Sequence, residues 1–198
     1  MENFQIKKLY FSRKKYLQFD DTISTDMWQL EVYLLALGIM KKEKLCSVID
    51  IGCGSGYKLI TYLGEYKTLG LEVEPTLSWL KENYPNNEWE LSDFSNGKNL
   101  KADVLICADV IEHLLNPNEL INFIKNIDFK YLVLSTPERG LLYKPWQKGF
   151  FGPPFNKTHI REWSFKEFRK FIEENFEVLK HQVCNLEQAT QVIVCKKR

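Results

Sequence analysis

Val48-Ile49-Asp50-Ile51-Gly52-Cys53-Gly54-Ser55-Gly56 decides the fold. An apolar run ends in three glycines at alternate positions, and the helical pattern Tyr57–Leu63 follows at once, as in a strand turning sharply into a helix. Glycine permits the tight turn and lets a ligand come close to the backbone, outside the carboxyl end of the strand. The next apolar run, Thr68–Val73, carries Glu72, 20 residues after Gly52. At that separation an acidic side chain can meet the hydroxyls of a ribose.

Two common phosphate loops fit poorly. A G-x-G-x-x-G loop needs glycine where Tyr57 stands, and a P-loop needs glycine before Lys58 and Ser or Thr after it. Asp50, two residues before the first glycine, suits a ligand bearing an amino group or a positive charge rather than a pyrophosphate. A sulfonium amino acid joined to adenosine meets that description.

Outward from this loop, strand and helix patterns alternate. Asp26 to Gly38 reads as a helix with Asp26 as N-cap and Gly38 just past its end. Strand patterns cover Leu45–Ile51, Thr68–Val73, Glu88–Leu91, Asp103–Cys107 and Tyr131–Leu134. Pro75 suits a first helical turn, Asn116-Pro117 with Glu119 opens another helix, and Ser164 with Glu167 forms a capping box. Phe165, Phe168, Phe171 and Ile172 then share a helical face. Alternation from 45 to 174 predicts an α/β, Rossmann-like, doubly wound sheet, parallel for the most part, with helices on both faces. Phe176–Val183 and Gln191–Cys195, with no helix between them, predict an antiparallel hairpin at one edge and seven strands in all.

Composition bounds the rest. The chain has 198 residues, 44% hydrophobic and 27% charged, with a net charge of +1. That excludes a disordered, collagenous or coiled-coil chain and gives no global electrostatic case for nucleic acid or membrane. At ~100–200 residues per domain it reads as a single domain over 1–198. Within it, 1–40 is an N-terminal arm and helix, and 137–163 is a substrate-covering loop. Five cysteines, none in a C-x-x-C pair, read as buried reduced thiols. The basic N-terminus lacks the apolar stretch of a signal peptide, and Val32–Met40 is too short to span a bilayer. A cytoplasmic protein without a membrane span is expected.

Four motifs in order carry a family resemblance: Asp50-Ile51-Gly52-Cys53-Gly54-Ser55-Gly56, Gly70-Leu71-Glu72-Val73-Glu74-Pro75, Leu91-Ser92-Asp93-Phe94, and Ala108-Asp109-Val110-Ile111-Glu112-His113-Leu114. Over residues 45–195 the chain resembles class I S-adenosylmethionine (SAM)-dependent methyltransferases. The resemblance implies SAM as cofactor and S-adenosylhomocysteine as product. It implies that Asp50 orients the methionine amino group and that Gly52, Gly54 and Gly56 line the methionine and ribose. Glu72 would take the ribose hydroxyls, Val73 and Phe94 would pack on the adenine, and Asp93 would bond its amino group. Ala108 would sit beside the methionyl part.

Past the fourth strand stand Glu112 and His113. His159 closes the long aromatic segment, and His181 lies on a strand of the hairpin. One helical turn would bring Asp109 beside Glu112 and His113, and His159 would complete an oxygen and nitrogen ligand set for a divalent metal. A similar arrangement, with a later His before Glu-Trp, binds metal in small-RNA 3′-terminal 2′-O-methyltransferases. Here His159-Ile160-Arg161-Glu162-Trp163 matches in spacing, and Asp109 departs from the family's Glu. Three roles stand open: Glu112 and His113 pin the following segment, His113 or His159 accepts a proton, or the set holds a metal.

Lys7, Lys8, Arg13, Lys14 and Lys15 alternate with Tyr10, Phe11 and Tyr16. With the loop Leu141–Phe155 they read as the walls of the acceptor site, Trp146, Phe150 and Phe151 excluding water. A solvated lid, a wall for an anionic or nucleotide-linked small molecule, and an RNA contact all fit. Gly152-Pro153-Pro154-Phe155-Asn156 through Trp163 resembles a segment of small bacterial-type methyltransferases, many tied to glycan or lipid pathways. The expected activity is O-methylation of a small metabolite or sugar-type acceptor. The alternatives are methylation of RNA 3′ ends, a SAM-binding module without turnover, and a nicotinamide dehydrogenase. The oligomeric state is left open.

Overall fold

The computed structural model describes residues 3–15, 17, 22, 28–92, 94 and 99–198. A seven-stranded sheet runs in the order β3-β2-β1-β4-β5-β7-β6. Its strands are β1 (Ser47–Ile51), β2 (Lys67–Glu72), β3 (Trp89–Leu91), β4 (Val104–Ala108), β5 (Tyr131–Pro137), β6 (Phe176–Asn185) and β7 (Thr190–Lys197). The first five are parallel. β7 lies antiparallel to both β5 and β6, the predicted edge hairpin.

Side chains alternate across the sheet. Ile49, Ile51, Leu105 and Cys107 face α4 (Pro117–Asn126), α6 (Phe165–Glu173) and Ile6 of the arm. Val48, Val104, Ile106 and Ala108 face α1 (Leu30–Glu43), α2 (Tyr57–Leu63) and α3 (Thr76–Asn83). The chain leaves β1 toward β2 and β3, then returns to β4 on the other side. The crevice outside the carboxyl ends of β1 and β4 is thus a topological switch point, where open α/β sheets bind ligands.

Several boundaries move. The predicted helix Asp26–Gly38 is Leu30–Glu43. Gly38 lies inside it, Lys44 in a left-handed conformation ends it, and Asp26 lies outside the described residues. Buried Val32, Tyr33, Ala36 and Met40 hold this helix together across its glycine, which costs only ~1 kcal/mol. The capping box at Ser164 and Glu167 is present, but Phe165 leaves the core face and stacks on His181, 3.6 Å between centroids. Cys53, Cys107 and Cys195 are buried as expected, whereas Cys46 is exposed and Cys184 half-buried.

Residues 138–163 are not a plain loop. They contain the short helix α5 (Arg139–Leu142) and a 3-10 turn at Lys148–Phe151. Their base is closed where Glu138 bridges to Trp163 and the Arg139 N–H donates to the Trp163 carbonyl (2.9 Å). Among the described residues, no helix is long and apolar enough to cross a membrane.

Candidate active site

The three glycines after β1 all have left-handed φ, +72°, +54° and +68°. At Gly52 a Cβ would stand 2.5 Å from Val110 Cγ2, and at Gly56 2.6 Å from the Trp89 ring. These two glycines therefore admit protein side chains as well as shaping the turn. The Gly54 N–H points to the end of β2 and donates to Glu72 Oε2 (2.8 Å), while the Val73 N–H donates to Oε1 (2.8 Å). Both oxygens of a buried carboxylate are thus held in a set plane at the sheet edge.

Asp50 is fully buried near the end of β1. Tyr33, reaching down from α1, donates its hydroxyl to Oδ2 (2.8 Å), and Oδ1 has no partner among the described residues. Burial pushes this carboxyl up to about 7, against the Tyr33 hydrogen bond and the charge of Lys58. A buried carboxylate with one bare oxygen costs free energy until a cationic donor reaches it. Ala108 is buried at the end of β4 and Val73 is partly exposed beyond β2. The Phe94 ring packs on Phe123 of α4, 5.5 Å between centroids. Asp93 and Tyr16 lie outside the described residues.

Glu112 and His113 occupy a 3-10 turn, Ile111–His113, after β4. The turn is sewn to the end of the long segment: the Ile160 N–H donates to the Glu112 carbonyl (2.8 Å), and the Arg161 guanidinium donates to the carbonyls of Leu114 and Leu115 (both 2.7 Å). This brings His159 to His113, edge to face at 4.9 Å. The partners define the imidazole protonation, since a carbonyl or carboxylate only accepts. His113 Nδ1 lies 3.1 Å from the Thr158 carbonyl, so it carries the proton, and Nε2 faces Glu112 Oε1 at 4.0 Å. Burial and the neighbouring His159 pull His113 down to about 4. His159 Nδ1 lies 2.7 Å from Glu162 Oε1, and its Nε2 accepts from the Asn156 amide (2.9 Å). Asn156 Oδ1 already accepts from Thr158, which turns its amide nitrogen toward the ring.

Glu112 is fully buried. Thr136 donates to its Oε2 (3.0 Å), and its Oε1 is bare among the described residues. Burial and the charge of Asp109 drive its pKa well up. Glu112, His113 and His159 each offer a ligand atom within 4.8 Å of the others. Asp109 does not join them. Its backbone is left-handed, and its carboxylate turns to Ser135 Oγ (2.5 Å) and Gln29. The positive φ breaks the helical turn on which its expected position depended. His181 lies away on β6, beside Gln191 and Phe165.

Tyr33, Ser135 and Gln29 have no motif around them, and the sequence reading passes them by, whereas Thr136 is expected at the cofactor edge after the fifth strand. Glu162, three residues from His159, carries a local signal in that spacing.

The description "Methyltransferase domain" belongs to the family model that matches residues 25–189. Solved structures with the same fold include the PH0226 protein from Pyrococcus horikoshii. It is 17% identical with a TM-score of 0.67, over 91% of this chain and 95% of that one. A Synechocystis magnesium protoporphyrin IX methyltransferase with bound S-adenosylhomocysteine is 15% identical with a TM-score of 0.62, over 86% of this chain and 83% of that one. The small RNA methyltransferase HEN1 is 18% identical with a TM-score of 0.63. The match covers 94% of this chain but spans only 27% of the HEN1 chain. No curated protein sequence matches.

Proposed function

The chain belongs to the methyltransferase-domain family, as a class I SAM-dependent methyltransferase, and from that premise we propose that it methylates a hydroxyl oxygen of a small or sugar-type acceptor. The observation that carries the oxygen acceptor is the His159–Glu162 pair. A buried carboxylate 2.7 Å from Nδ1 fixes the ring and stabilises the imidazolium that forms when Nε2 takes a proton. A hydroxyl must lose its proton as it attacks, whereas an amine that arrives neutral needs less help.

The donor-binding residues fit the cofactor on their own geometry. The Oδ1 of buried Asp50, bare among the described residues, would accept from the ammonium of SAM, and the fixed Glu72 carboxylate would take the ribose hydroxyls. When bound, SAM supplies a methyl group on a good leaving group. The protein's task is then to align the acceptor oxygen, exclude water and receive one proton. Asn156 must release Nε2 of His159 for that last step, and its place in the same segment lets substrate entry move it. Methyl transfer from radiolabelled SAM to a panel of hydroxyl acceptors tests the reading. His159→Ala should lower transfer by ~10²–10⁴-fold with SAM affinity unchanged. Transfer as fast as in the parent protein overturns the role of His159.

A second reading rests on the bare Oε1 of Glu112. The two imidazoles each have the nitrogen opposite that carboxylate tied to an acceptor, an outer-shell pattern that suits metal-binding histidines. Glu112, His113 and His159 would hold a divalent ion that supplies a Lewis acid for the acceptor oxygen. Isothermal titration of the full chain with Mn²⁺ or Co²⁺ should then show one site that is lost in His113→Ala. Absence of that site leaves His159 as the base. RNA as acceptor stands as the alternative that a metal would favour.

A further inference from the structure

Segments 3–17 and 139–161 hold ten of the chain's 27 lysines and arginines and none of its 26 acidic residues. A net charge of +1 conceals this division, because 17 cations face 26 acids elsewhere. The two segments form one surface. The Phe11 N–H donates to the Phe151 carbonyl (2.8 Å), the Arg13 N–H to the Ile160 carbonyl (2.8 Å), and the Arg13 guanidinium to the Pro154 carbonyl (2.5 Å).

The cations sort by type. Arg139 and Arg161 are buried and bonded inward, while Lys8, Lys14, Lys15, Lys144 and Lys148 are exposed. The same surface carries eight of the 15 large apolar side chains exposed among the described residues. Leu9 is 79% exposed, Phe11 64%, Trp146 81% and Phe155 59%. Exposed apolar side chains in this number, on joined segments that carry charge of one sign, mark an interaction site.

We propose that this surface docks on an anionic lipid bilayer, with the leucines and rings at the acyl boundary and the lysines among the phosphates. Leucines decide between a bilayer and single-stranded nucleic acid. Bases stack on rings and gain little from Leu9, Leu141 or Leu142, whereas hydrocarbon accepts aliphatic and aromatic groups alike. Lysine, a flexible point charge, suits a fluid layer of phosphates; the planar arginine forks that would clamp a fixed phosphate are turned inward. His159 ends the same segment, so an acceptor carried on a lipid would be delivered beside it. That last step rests on the methyl-transfer reading.

The test is co-sedimentation of the full chain with vesicles of phosphatidylcholine alone or doped with phosphatidylglycerol, beside calorimetry with SAM. Binding should require the anionic lipid, weaken with salt and shift tryptophan emission to the blue. At the usual contribution of a lysine near a charged membrane, Lys8→Ala with Lys14→Ala should weaken it about thirty-fold. Leu9→Ser with Trp146→Ser should weaken it at least about tenfold. Both variants should keep the parent's SAM affinity, which shows that they fold. No binding to anionic vesicles overturns the proposal, as does binding that the Leu9 and Trp146 changes leave untouched. Preferential binding of oligouridylate over anionic vesicles, lost with the lysines, also overturns it and makes the surface a nucleic-acid one. If the parent chain fails to bind SAM, the methyl-transfer reading falls while the vesicle result stands by itself.

Discussion

Asp50 and Glu72 are acids a short way apart in the fold, placed in opposite conditions. Glu72 accepts two backbone N–H bonds, whereas Asp50 has one hydroxyl donor and, among the described residues, a bare oxygen. Burial raises the Asp50 pKa to about 7, above the ordinary carboxylate range. An acid raised on folding lends stability that is complete below its unfolded pKa and is lost as pH rises through the folded one. The apo protein should therefore lose stability between pH ~4 and ~7. Asp50→Asn should remove that dependence and raise stability at pH 8 by on the order of 3 kcal/mol in denaturant unfolding. The same variant should weaken SAM binding at least ~30-fold, and the parent's SAM affinity should fall as pH drops below 7. For Glu72, removal of a charge-assisted acceptor in Glu72→Ala should cost ~2–3 kcal/mol of SAM binding by calorimetry. Unchanged affinity there would contradict its role. The place of Glu72 at the end of β2 was legible in the sequence, because its distance from Gly52 is fixed by one helix and one strand. The Tyr33 bond to Asp50 was not, since it depends on how α1 crosses the sheet.

Elements formed where local signals agreed. The strand-glycine-helix unit, the Asn116-Pro117 start and the Ser164 capping box each sit within a few residues and carry their own hydrogen bonds. The start of α1 and the interior of 138–163 lack such signals: the helix expected from Asp26 is Leu30–Glu43, and the segment expected as a loop holds α5 and a 3-10 turn. What shapes 138–163 is distant. Glu167 of α6 accepts from the Ser164 N–H (2.8 Å), from the Lys7 N–H of the arm (2.8 Å) and from buried Arg139 of α5 (2.6 Å). Burial works against the charge of Glu167, but Arg139 and the two N–H donors hold its pKa below the ordinary value. Glu167→Ala strands the Arg139 guanidinium, so a loss of ~3–5 kcal/mol is expected. Ser164→Ala removes only a cap, at ~1 kcal/mol. Thermal unfolding of the two variants should rank them in that order. Equal losses would mean that Arg139 finds another partner.

For the molecule as a whole, the arm and the long segment either form a fixed wall or move together over the acceptor. Their seam is specific. Gly152 has φ +72°, and a Cβ on it would stand 2.1 Å from the Phe11 carbonyl oxygen. That atom is backbone, so the neighbour cannot simply rotate away. The core contacts of the arm are elsewhere, with Ile6 buried and the Trp163 ring N–H donating to the Phe4 carbonyl (2.9 Å). Gly152→Ala should therefore open the seam while leaving the arm's root in place. The expected cost is ~1–3 kcal/mol, as for other overpacked sites. Amide exchange at Phe11 and Arg13, whose N–H groups cross the seam, should quicken at least tenfold, whereas exchange in β1 and β4 should not change. SAM affinity should hold, because Asp50 and Glu72, the residues proposed to bind the donor, lie at the ends of β1 and β2. If SAM affinity instead falls with the opening of the seam, the arm reports on the donor site, and wall and cofactor crevice behave as one unit.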